Sequence, residues 1–460
     1  MKVTGKIIKA LEKRARKAAI FEQLGGYSSS SLLLDSLLKS DKKGLFKVDN
    51  TSIFGFPSGN PLIDALNGYL VCVPNKDHTD LDHTWYNKGI MGGQFIMVIG
   101  NSGVGKSAFC IQCAANIVKD YDEGLVIHAD AEHTSSYPHI MNLTGWGPDL
   151  MDTKYRLNEI NYIEDLRAAI IDIARIKEEN KKELIIHTGR YDSFGREIKI
   201  YVPTVIIADS LPQFQTKEIL DKDGNVQAEQ EGQTYDMRLA AAYSKFYKIM
   251  RPILHDKNII LFVTNHIKEK PQMGFTKKQA KIQGLSPDET LPGGSAPIYL
   301  SQSLIRLIYR GKCITEKHGF NGYVTAVQTL KSKTNRSDLT VELVFEHGKG
   351  FNTPLSMLRF ADSLGLVGGR NPYRYFTANP DKKFSTKNFC DSIDKDPEIY
   401  QTLLKITEPY INNICASNKA FNPNKDISAA QLESVVDNSF HMYKDVSKDT
   451  LADALEGIGA

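Results

Sequence analysis

The chain has few cysteines, little net charge and no long apolar run, and each shortage excludes a class of protein. Six cysteines among 460 residues are too few for a disulfide framework in so long a chain. Cys110 and Cys113 have no second pair at zinc-site spacing, so we expect both to pack in a core. No apolar run approaches about twenty residues, which excludes a membrane-spanning helix and a membrane partner. Because the net charge is only +3, any nucleic-acid affinity has to come from local patches.

The remaining composition, with 41% apolar and 24% charged residues, is that of an ordinary globular protein. The basic N-terminus has no apolar stretch of the kind found in a secretory signal, so we expect a reducing, cytoplasmic location. Changes in composition divide the chain into an N-terminal helix and linker over 1–50, a core over 51–352 and a small α-rich C-terminal domain over 353–460.

Residues 4–24 have the apolar spacing of an amphipathic helix, with Ile7, Leu11, Ala18 and Phe21 near one face. The rest of this helix is strongly basic. Two interpretations stay open, a solvated surface helix and a helix that docks on a neighbouring subunit or a polyanion.

The most informative stretch is Gly100-Asn-Ser-Gly-Val-Gly-Lys-Ser107, which fits the eight-residue phosphate-binding pattern. An apolar strand precedes it at 95–99, and a helical pattern follows at 108–118. Backbone N–H groups and a helix N-terminus can hold a polyphosphate in this arrangement, with Lys106 against the β- and γ-phosphates and Ser107 on Mg²⁺. The nucleotide-binding candidates are therefore Gly100, Asn101, Ser102, Gly103, Val104, Gly105, Lys106, Ser107 and Ala108.

Strand patterns at 124–130, 204–210 and 258–265 alternate with helical ones, which predicts an α/β fold with a mostly parallel sheet flanked by helices. Ligands of such sheets bind beyond the carboxyl ends of the strands. Polar residues at those ends are therefore candidates for chemistry.

Asp209 ends one of these strands and is, with Ser107, a candidate Mg²⁺ ligand. Glu132 could polarise the attacking water at the end of another strand, although capping of a helix by Asp130 or Glu132 is the structural alternative. His266 follows the next strand and could sense the γ-phosphate by hydrogen bonding.

Two long polar segments, about 212–236 and 268–292, are candidates for nucleic-acid contact. Basic residues interleaved with an aromatic suit a nucleic-acid backbone with base contact, while a solvated charge run is the competing interpretation. The DNA-binding candidates are Lys268, Lys270, Met273, Phe275, Lys277, Lys278, Lys281 and Arg238.

Two other segments have the character of insertions. Residues 75–87 are polar and are expected to form a solvated loop, even though Asp82 and His83 could mimic a metal site. Residues 183–202 contain two short strand patterns around a turn and predict a hairpin.

Taken together, these motifs resemble the RecA-type recombinases, most closely the UvsX-type recombinases of phages, over about residues 55–370. The resemblance implies a RecA-like P-loop NTPase core that hydrolyses ATP with Mg²⁺. It also implies a helical filament on DNA with ATP at each subunit interface. It depends on the phosphate loop and on Asp130-Ala-Glu-His133, Ile207-Ala-Asp-Ser210, Thr264-Asn-His-Ile267, Pro292-Gly-Gly-Ser-Ala-Pro297 and Leu330-Lys-Ser-Lys-Thr334.

The resemblance also implies roles for single residues. Glu132 matches the catalytic glutamate, and His266 matches the residue that couples the γ-phosphate to the second DNA-binding loop. Lys331 and Lys333 match the pair that reaches the ATP of the neighbouring subunit. The adenine-stacking tyrosine of many relatives falls at or near His139, which is therefore the candidate for base contact. The basic N-terminal helix matches the polymerisation arm, and the likeness weakens beyond about residue 375.

The sequence thus predicts an ATP-dependent recombinase that coats single-stranded DNA, pairs it with homologous duplex and exchanges strands. Single-strand-binding and mediator proteins are possible further partners, and the host cytoplasm is the expected location if the source is viral. Two alternatives remain, a ring helicase with the same core and a nucleotide-dependent mediator or scaffold without strand exchange. No helicase-like partner domain is recognisable, and the intact Lys106 and Glu132 argue against a scaffold without turnover.

Overall fold

The computed structural model describes residues 53–75, 81–217, 235–269, 285–286, 288–294, 296–313, 321–370, 373–386 and 389–416. The N-terminal helix expected over 4–24 lies outside the described residues. So do six of the DNA-binding candidates, namely Lys270, Met273, Phe275, Lys277, Lys278 and Lys281.

The helices of the described part are short except for three of 17 to 22 residues. They are α1 (Pro61–Leu66), α2 (Lys106–Val118), α3 (Tyr137–Thr144), α4 (Pro148–Lys154), α5 (Ile163–Glu179), α6 (Lys181–Leu184), α7 (Tyr235–Asp256), α8 (Ala296–Leu300), α9 (Thr353–Ser363), α10 (Phe389–Lys395) and α11 (Pro397–Ile414). A single 3₁₀ turn of the described part covers Leu211–Gln213.

Strands run through the whole described part, and most belong to one large sheet. They are β1 (Gly55–Phe56), β2 (Tyr69–Pro74), β3 (Leu81–Asn87), β4 (Ile90–Met91), β5 (Phe95–Gly100), β6 (Leu125–Asp130), β7 (Tyr155–Asn158), β8 (Ile185–Tyr191), β9 (Glu197–Tyr201), β10 (Thr204–Asp209), β11 (Ile259–His266), β12 (Lys268–Glu269), β13 (Glu289–Thr290), β14 (Ser303–Lys312), β15 (Gly322–Lys331), β16 (Leu339–Glu346), β17 (Gly350–Asn352), β18 (Val367–Arg370), β19 (Tyr373–Phe376) and β20 (Asn379–Ser385).

The central sheet has nine strands in the order β17-β16-β15-β14-β5-β11-β10-β6-β7. The strands from β14 to β7 in this order are parallel to their neighbours, and β15, β16 and β17 continue the sheet antiparallel. The sequence prediction of an α/β fold with a mostly parallel sheet flanked by helices is confirmed.

Both faces of the sheet are buried, which is why its central strands are continuous apolar runs. In β5, Ile96 and Val98 face the core that contains helix α2, whereas Phe95, Met97 and Ile99 face the core that contains α5 and α7. The same alternation separates the residues of β10 into the two cores. Cys110 and Cys113 pack in the first core, on the buried face of α2.

Both predicted insertions are antiparallel hairpins in the structure. The hairpin expected within 183–202 is confirmed as β8 paired with β9. The solvated loop expected at 75–87 is wrong over its second half, because residues 81–87 form β3 against β2. This strand is polar and largely exposed on its outer side, so it lacks the apolar alternation on which the prediction relied. The indole Nε1 of Trp85 in β3 donates to the carbonyl of Tyr191 at 2.9 Å, so the two hairpins touch.

Among the described residues beyond 352 helices predominate, and the structure adds a three-stranded antiparallel sheet of β18, β19 and β20. The sequence analysis did not predict these strands, because their sequences are mostly polar. A sheet with only one buried face needs few apolar residues. Val367, Phe376 and Phe384 are its buried side chains, and they join the same core cluster as α2. The boundary between core and C-terminal domain stays a prediction. None of the described helices combines the length and apolar character that crossing a membrane requires.

Candidate functional site

The strand register places the predicted catalytic and ligand-binding residues at one edge of the sheet. Gly100 lies opposite His266 where β5 and β11 end, and Asp130 lies opposite Asp209 where β6 and β10 end. Because these strands are parallel, all four carboxyl ends open on the same side. The chain therefore brings four separate sequence motifs to one site.

The predicted phosphate loop connects β5 to helix α2. Gly103 and Gly105 have φ angles of 77° and 93°, a region that residues with a Cβ adopt only at a cost. Gly105 precedes α2 without any side-chain cap, and an added Cβ at Gly103 would meet no atom within 4 Å. The first amides of α2 thus face an open cradle, which is the arrangement that binds anions at helix N-termini.

Lys106 points into this cradle from the first turn of α2. Its Nζ donates to the carbonyls of Gly100 and Asn101 at 3.1 and 2.8 Å and lies 3.4 Å from Nδ1 of His266. Burial lowers the pKa of Lys106, and the nearby carboxylates of Asp209 and Glu132 oppose that shift. The lysine is thus held by two neutral carbonyls, which an anionic ligand can replace.

Aromatic residues of the antiparallel strands support the loop from below, and the sequence analysis missed them. The hydroxyl of Tyr323 in β15 donates to the carbonyl of Gly103 at 2.9 Å. Its ring stacks on Phe345 at 4.6 Å between centroids, and Phe345 and Phe351 lie 3.1–3.2 Å from where a Cβ on Gly105 would stand. The sequence analysis assigned no strand to the segments that contain Tyr323, Phe345 and Phe351. Sequence spacing could not show that they lie under the loop.

Asp209 is 5% exposed at the end of β10 and is held by its neighbours in the sheet. The hydroxyl of Thr264, from β11, donates to Asp209 Oδ1. His128 lies on the other side, with Nε2 at 4.0 Å from Asp209 Oδ2 and Nδ1 at 3.0 Å from the hydroxyl of Tyr155. Desolvation lowers the pKa of His128, and the nearby carboxylates of Asp209 and Asp130 oppose that shift. Sequence reasoning missed His128, although a polar residue inside the run Leu125–Asp130 was a visible signal.

Asp130 and Glu132 have different surroundings, and these differ in whether the side chain holds a turn or faces the site. Asp130 accepts hydrogen bonds from the backbone amides of Glu132, Thr134 and Ser135 at 2.7–3.2 Å, so it fixes the turn after β6. The side chain of Glu132 faces the site instead, where it accepts from the hydroxyl of Ser210 and lies 3.3 Å from Nε2 of His266. Neither carboxylate caps a helix, because the next helix, α3, begins after Ser136 without a side-chain cap.

His266 connects the phosphate loop to the start of the lysine-rich segment. Its two ring nitrogens face Lys106 and Glu132, and its backbone amide donates to Asn265 Oδ1 at 2.8 Å. The amide nitrogen of Asn265 donates in turn to the carbonyl of Pro292 at 3.0 Å, where the segment returns. The two-residue ladder of β12 with β13 closes the base of the same segment. His266 thus lies two residues before the strand pair at this base.

The remaining candidates are Lys331, Lys333, Lys268, His139 and Arg238. Lys331 donates from Nζ to the carbonyls of Ile298 and Tyr299, and burial together with the nearby positive charge of Lys333 lowers its pKa to about 8. Lys333, Lys268 and His139 are exposed, and Arg238 is half-buried near the start of α7. Their roles in ATP, DNA or base contact stay predictions.

The donor set fits an Mg²⁺ ion bound mainly through water. Among the residues that the structure describes, the recorded contact of Asp209 Oδ2 is His128 at 4.0 Å, and Ser107 lies half-buried in the first turn of α2. Oxygen ligands of this kind, few in number and beside a phosphate site, are those that Mg²⁺ takes. Within the described ranges no three His, Cys, Asp or Glu side chains gather into a metal-binding group.

Comparisons with known proteins add little to this geometry. No family model matches the chain, and no curated protein matches it by sequence. Among solved structures, the chain is similar to one described as the crystal structure of the RadB recombinase, with a TM-score of 0.34 and 15% identity. The match covers 57% of this chain and 92% of the other. A similarity this low assigns neither ligand nor activity, so the function has to be inferred from the site.

Proposed function

We propose that the chain is an ATP-dependent DNA recombinase of the RecA type, acting as a filament on single-stranded DNA. The observation that carries the proposal is the position of His266. It lies between the phosphate-loop lysine and Glu132, and it is one residue from the bond that ties β11 to the end of the lysine-rich segment. The nucleotide site and the basic segment are thus linked by adjacent residues. This suits an ATPase in which the bound nucleotide controls the affinity for nucleic acid.

Binding of ATP would use the open cradle of the phosphate loop. The amides at the start of α2 and the side chain of Lys106 would hold the β- and γ-phosphates, displacing Nζ from its two carbonyl partners. Ser107 and Asp209 would hold Mg²⁺, which neutralises charge that develops on the phosphates. Tyr323 would keep the loop in its bound shape before the nucleotide arrives.

Hydrolysis would use Glu132 to orient the attacking water and accept its proton. Ser210 donates to this carboxylate and fixes its direction. Loss of the γ-phosphate would change the contacts of His266, and Asn265 would carry that change to Pro292 at the end of the DNA-binding segment. ATP would thus favour the DNA-bound state and hydrolysis would weaken it.

Assembly would complete the site. In a filament, Lys331 and Lys333 would reach the ATP of the neighbouring subunit and cancel charge as the γ-phosphate leaves. Such a filament would pair its single strand with homologous duplex, with single-strand-binding and mediator proteins as further partners.

The test is ATP hydrolysis with and without single-stranded DNA. We expect DNA to stimulate hydrolysis, Lys106→Ala to abolish it, and Lys333→Ala to keep nucleotide binding but lose the stimulation. Lys182→Ala, which removes an exposed lysine on α6 away from the site, is the matched control. Equal hydrolysis with and without DNA in the wild type would contradict the proposal.

Electron microscopy with single-stranded DNA and a slowly hydrolysed ATP analogue separates the remaining alternatives. Helical filaments with strand exchange support the recombinase. Closed rings that unwind a forked duplex would indicate a helicase, and ordered filaments without exchange would indicate a mediator.

A further inference from the structure

The outer face of the small sheet β18–β20 is exposed and carries aromatic and basic side chains. The register pairs Arg370 with Tyr373, and it pairs Tyr375 with both Gly368 and Lys383. Because side chains alternate across a strand, these five residues share one face. Tyr373 is 66% exposed, the largest exposed fraction among the exposed large apolar and aromatic side chains of the described part.

The opposite face of this sheet is the buried one. Phe376 and Phe384 have relative exposures of 1% and 2% there and pack in the main core. The sheet is therefore anchored from below, and Tyr373 on its outer face takes no part in that core. Tyr375 is half-buried beside it, and so prominent an exposed tyrosine calls for another explanation.

The cations of the sheet divide in the same way between its faces. On the inner side, Arg374 is paired with Asp362. Lys382 is likewise paired with Asp396 and Glu398. On the outer side, Arg370 and Lys383 form no ion pair with any described residue. The inner charges are thus neutralised within the fold, whereas the outer ones are left for an anionic partner.

Glycine shapes the surface around Tyr375. A Cβ placed on Gly368 would lie 2.8–3.1 Å from three atoms of the Tyr375 side chain, so the ring covers this glycine closely. Only glycine leaves room for it. The result is a low aromatic surface, with Tyr373 two residues further along the same strand, about 6.6 Å away along the strand axis.

We propose that this face, defined by Arg370, Tyr373, Tyr375 and Lys383, is a binding site for single-stranded nucleic acid. Tyrosine rings stack on unpaired bases, and the two free cations contact the phosphates between them. A duplex offers no base face for such stacking, because its bases already stack on one another. The site shares no residue with the segment at 268–292 and does not depend on the proposed hydrolysis.

The experiment is photocrosslinking of the full chain, without nucleotide, to an oligothymidylate that carries 5-iododeoxyuridine. We expect crosslinks on Tyr373 or Tyr375, identified by mass spectrometry of the peptides. Tyr373→Ala should remove that crosslink and weaken binding about tenfold, the effect of losing one stacking platform. Tyr373→Phe keeps the ring and should keep the crosslink. Tyr191→Ala removes another exposed tyrosine, 41% exposed in β8, and should change nothing.

Salt dependence tests the cations separately from the rings. The double change Arg370→Glu with Lys383→Glu should lower the slope of log affinity against log salt by about 1.4, as expected for two lost phosphate contacts on a single strand. Tyr373→Ala should weaken binding without changing that slope. Lys182→Glu serves as the control for charge reversal.

Three results would overturn the inference. These are crosslinks confined to other segments, duplex competing as well as single strands for the crosslinked site, or equal effects of Tyr373→Ala and Tyr191→Ala. A Lys106→Ala chain should still crosslink at the sheet. Failure of the ATPase proposal and failure of this one are therefore distinguishable.

Discussion

The hydrogen bond from Thr264 to Asp209 should stabilise the protein more than any ordinary hydroxyl bond in its core. Thr264 is fully buried and Asp209 is 5% exposed, so this hydrogen bond is shielded from bulk water. Thr264→Val keeps the shape of the side chain but leaves Oδ1 of a buried carboxylate without this donor. Hydrogen bonds to charged groups contribute about 1.5–3 kcal/mol, and we expect a loss of about 2 kcal/mol in the free energy of unfolding.

Thr407→Val is the matched control for this change. Thr407 is also fully buried, but its hydroxyl donates to the carbonyl of Leu403 at 2.7 Å within helix α11. That acceptor is neutral, so its loss should cost about 1 kcal/mol or less. Urea unfolding of both variants and the wild type in one buffer measures the difference. If Thr264→Val destabilises the chain no more than Thr407→Val, the buried carboxylate does not depend on Thr264.

The same variant connects stability to the proposed chemistry. Asp209 is the proposed Mg²⁺ partner, and outer-shell partners of metal ligands typically affect metal affinity or activity by about 10–100-fold. We therefore expect Thr264→Val to raise the Mg²⁺ concentration needed for half-maximal ATP hydrolysis by at least about tenfold. An unchanged Mg²⁺ requirement would indicate that Asp209 does not help to bind the metal.

Three further changes probe other parts of the structure. Tyr323→Phe removes the hydroxyl that holds Gly103 and should cost about 1 kcal/mol in unfolding free energy and weaken ATP binding. Asn265→Ala breaks the bond to Pro292 and should leave ATP binding intact while reducing DNA stimulation. Desolvation lowers the pKa of the buried Lys177 from 10.5 to about 7, so the unfolded chain binds an extra proton between these values. The wild type should therefore gain stability as pH rises through that window, and Lys177→Met should lose that gain.

Each of these has its own measurement. Calorimetric titration of ATP and urea unfolding report on Tyr323→Phe, and unchanged values for both would show that the loop does not need its hydroxyl. Parallel ATPase assays with and without DNA report on Asn265→Ala, and retained stimulation would contradict the coupling route. The free energy of unfolding, measured between pH 7 and 10.5, reports on Lys177→Met. If it changes with pH in the same way in wild type and variant, the buried amine is not the source of the pH dependence.

Local pattern was enough to predict the central elements. The apolar run at 95–99 and the glycines of the phosphate loop identify a strand, a turn and a helix, because each depends on residues adjacent in sequence. The hairpin at 183–202 was found for the same reason. Strand β3 and the sheet β18–β20 were not, because each has an exposed face, and exposed polar strands lack the alternation that marks a strand in sequence.

The sequence by itself determined the residue types that a phosphate site needs, and it placed them at strand ends, because chemistry of this kind requires particular side chains at particular turns. Only the tertiary structure decided which of them meet. It separated Asp130, which holds a turn, from Glu132, which faces the site. It brought Tyr323 under the phosphate loop and Thr264 and His128 beside Asp209. These contacts join residues far apart in the chain, through strand order and register, and no local pattern encodes either.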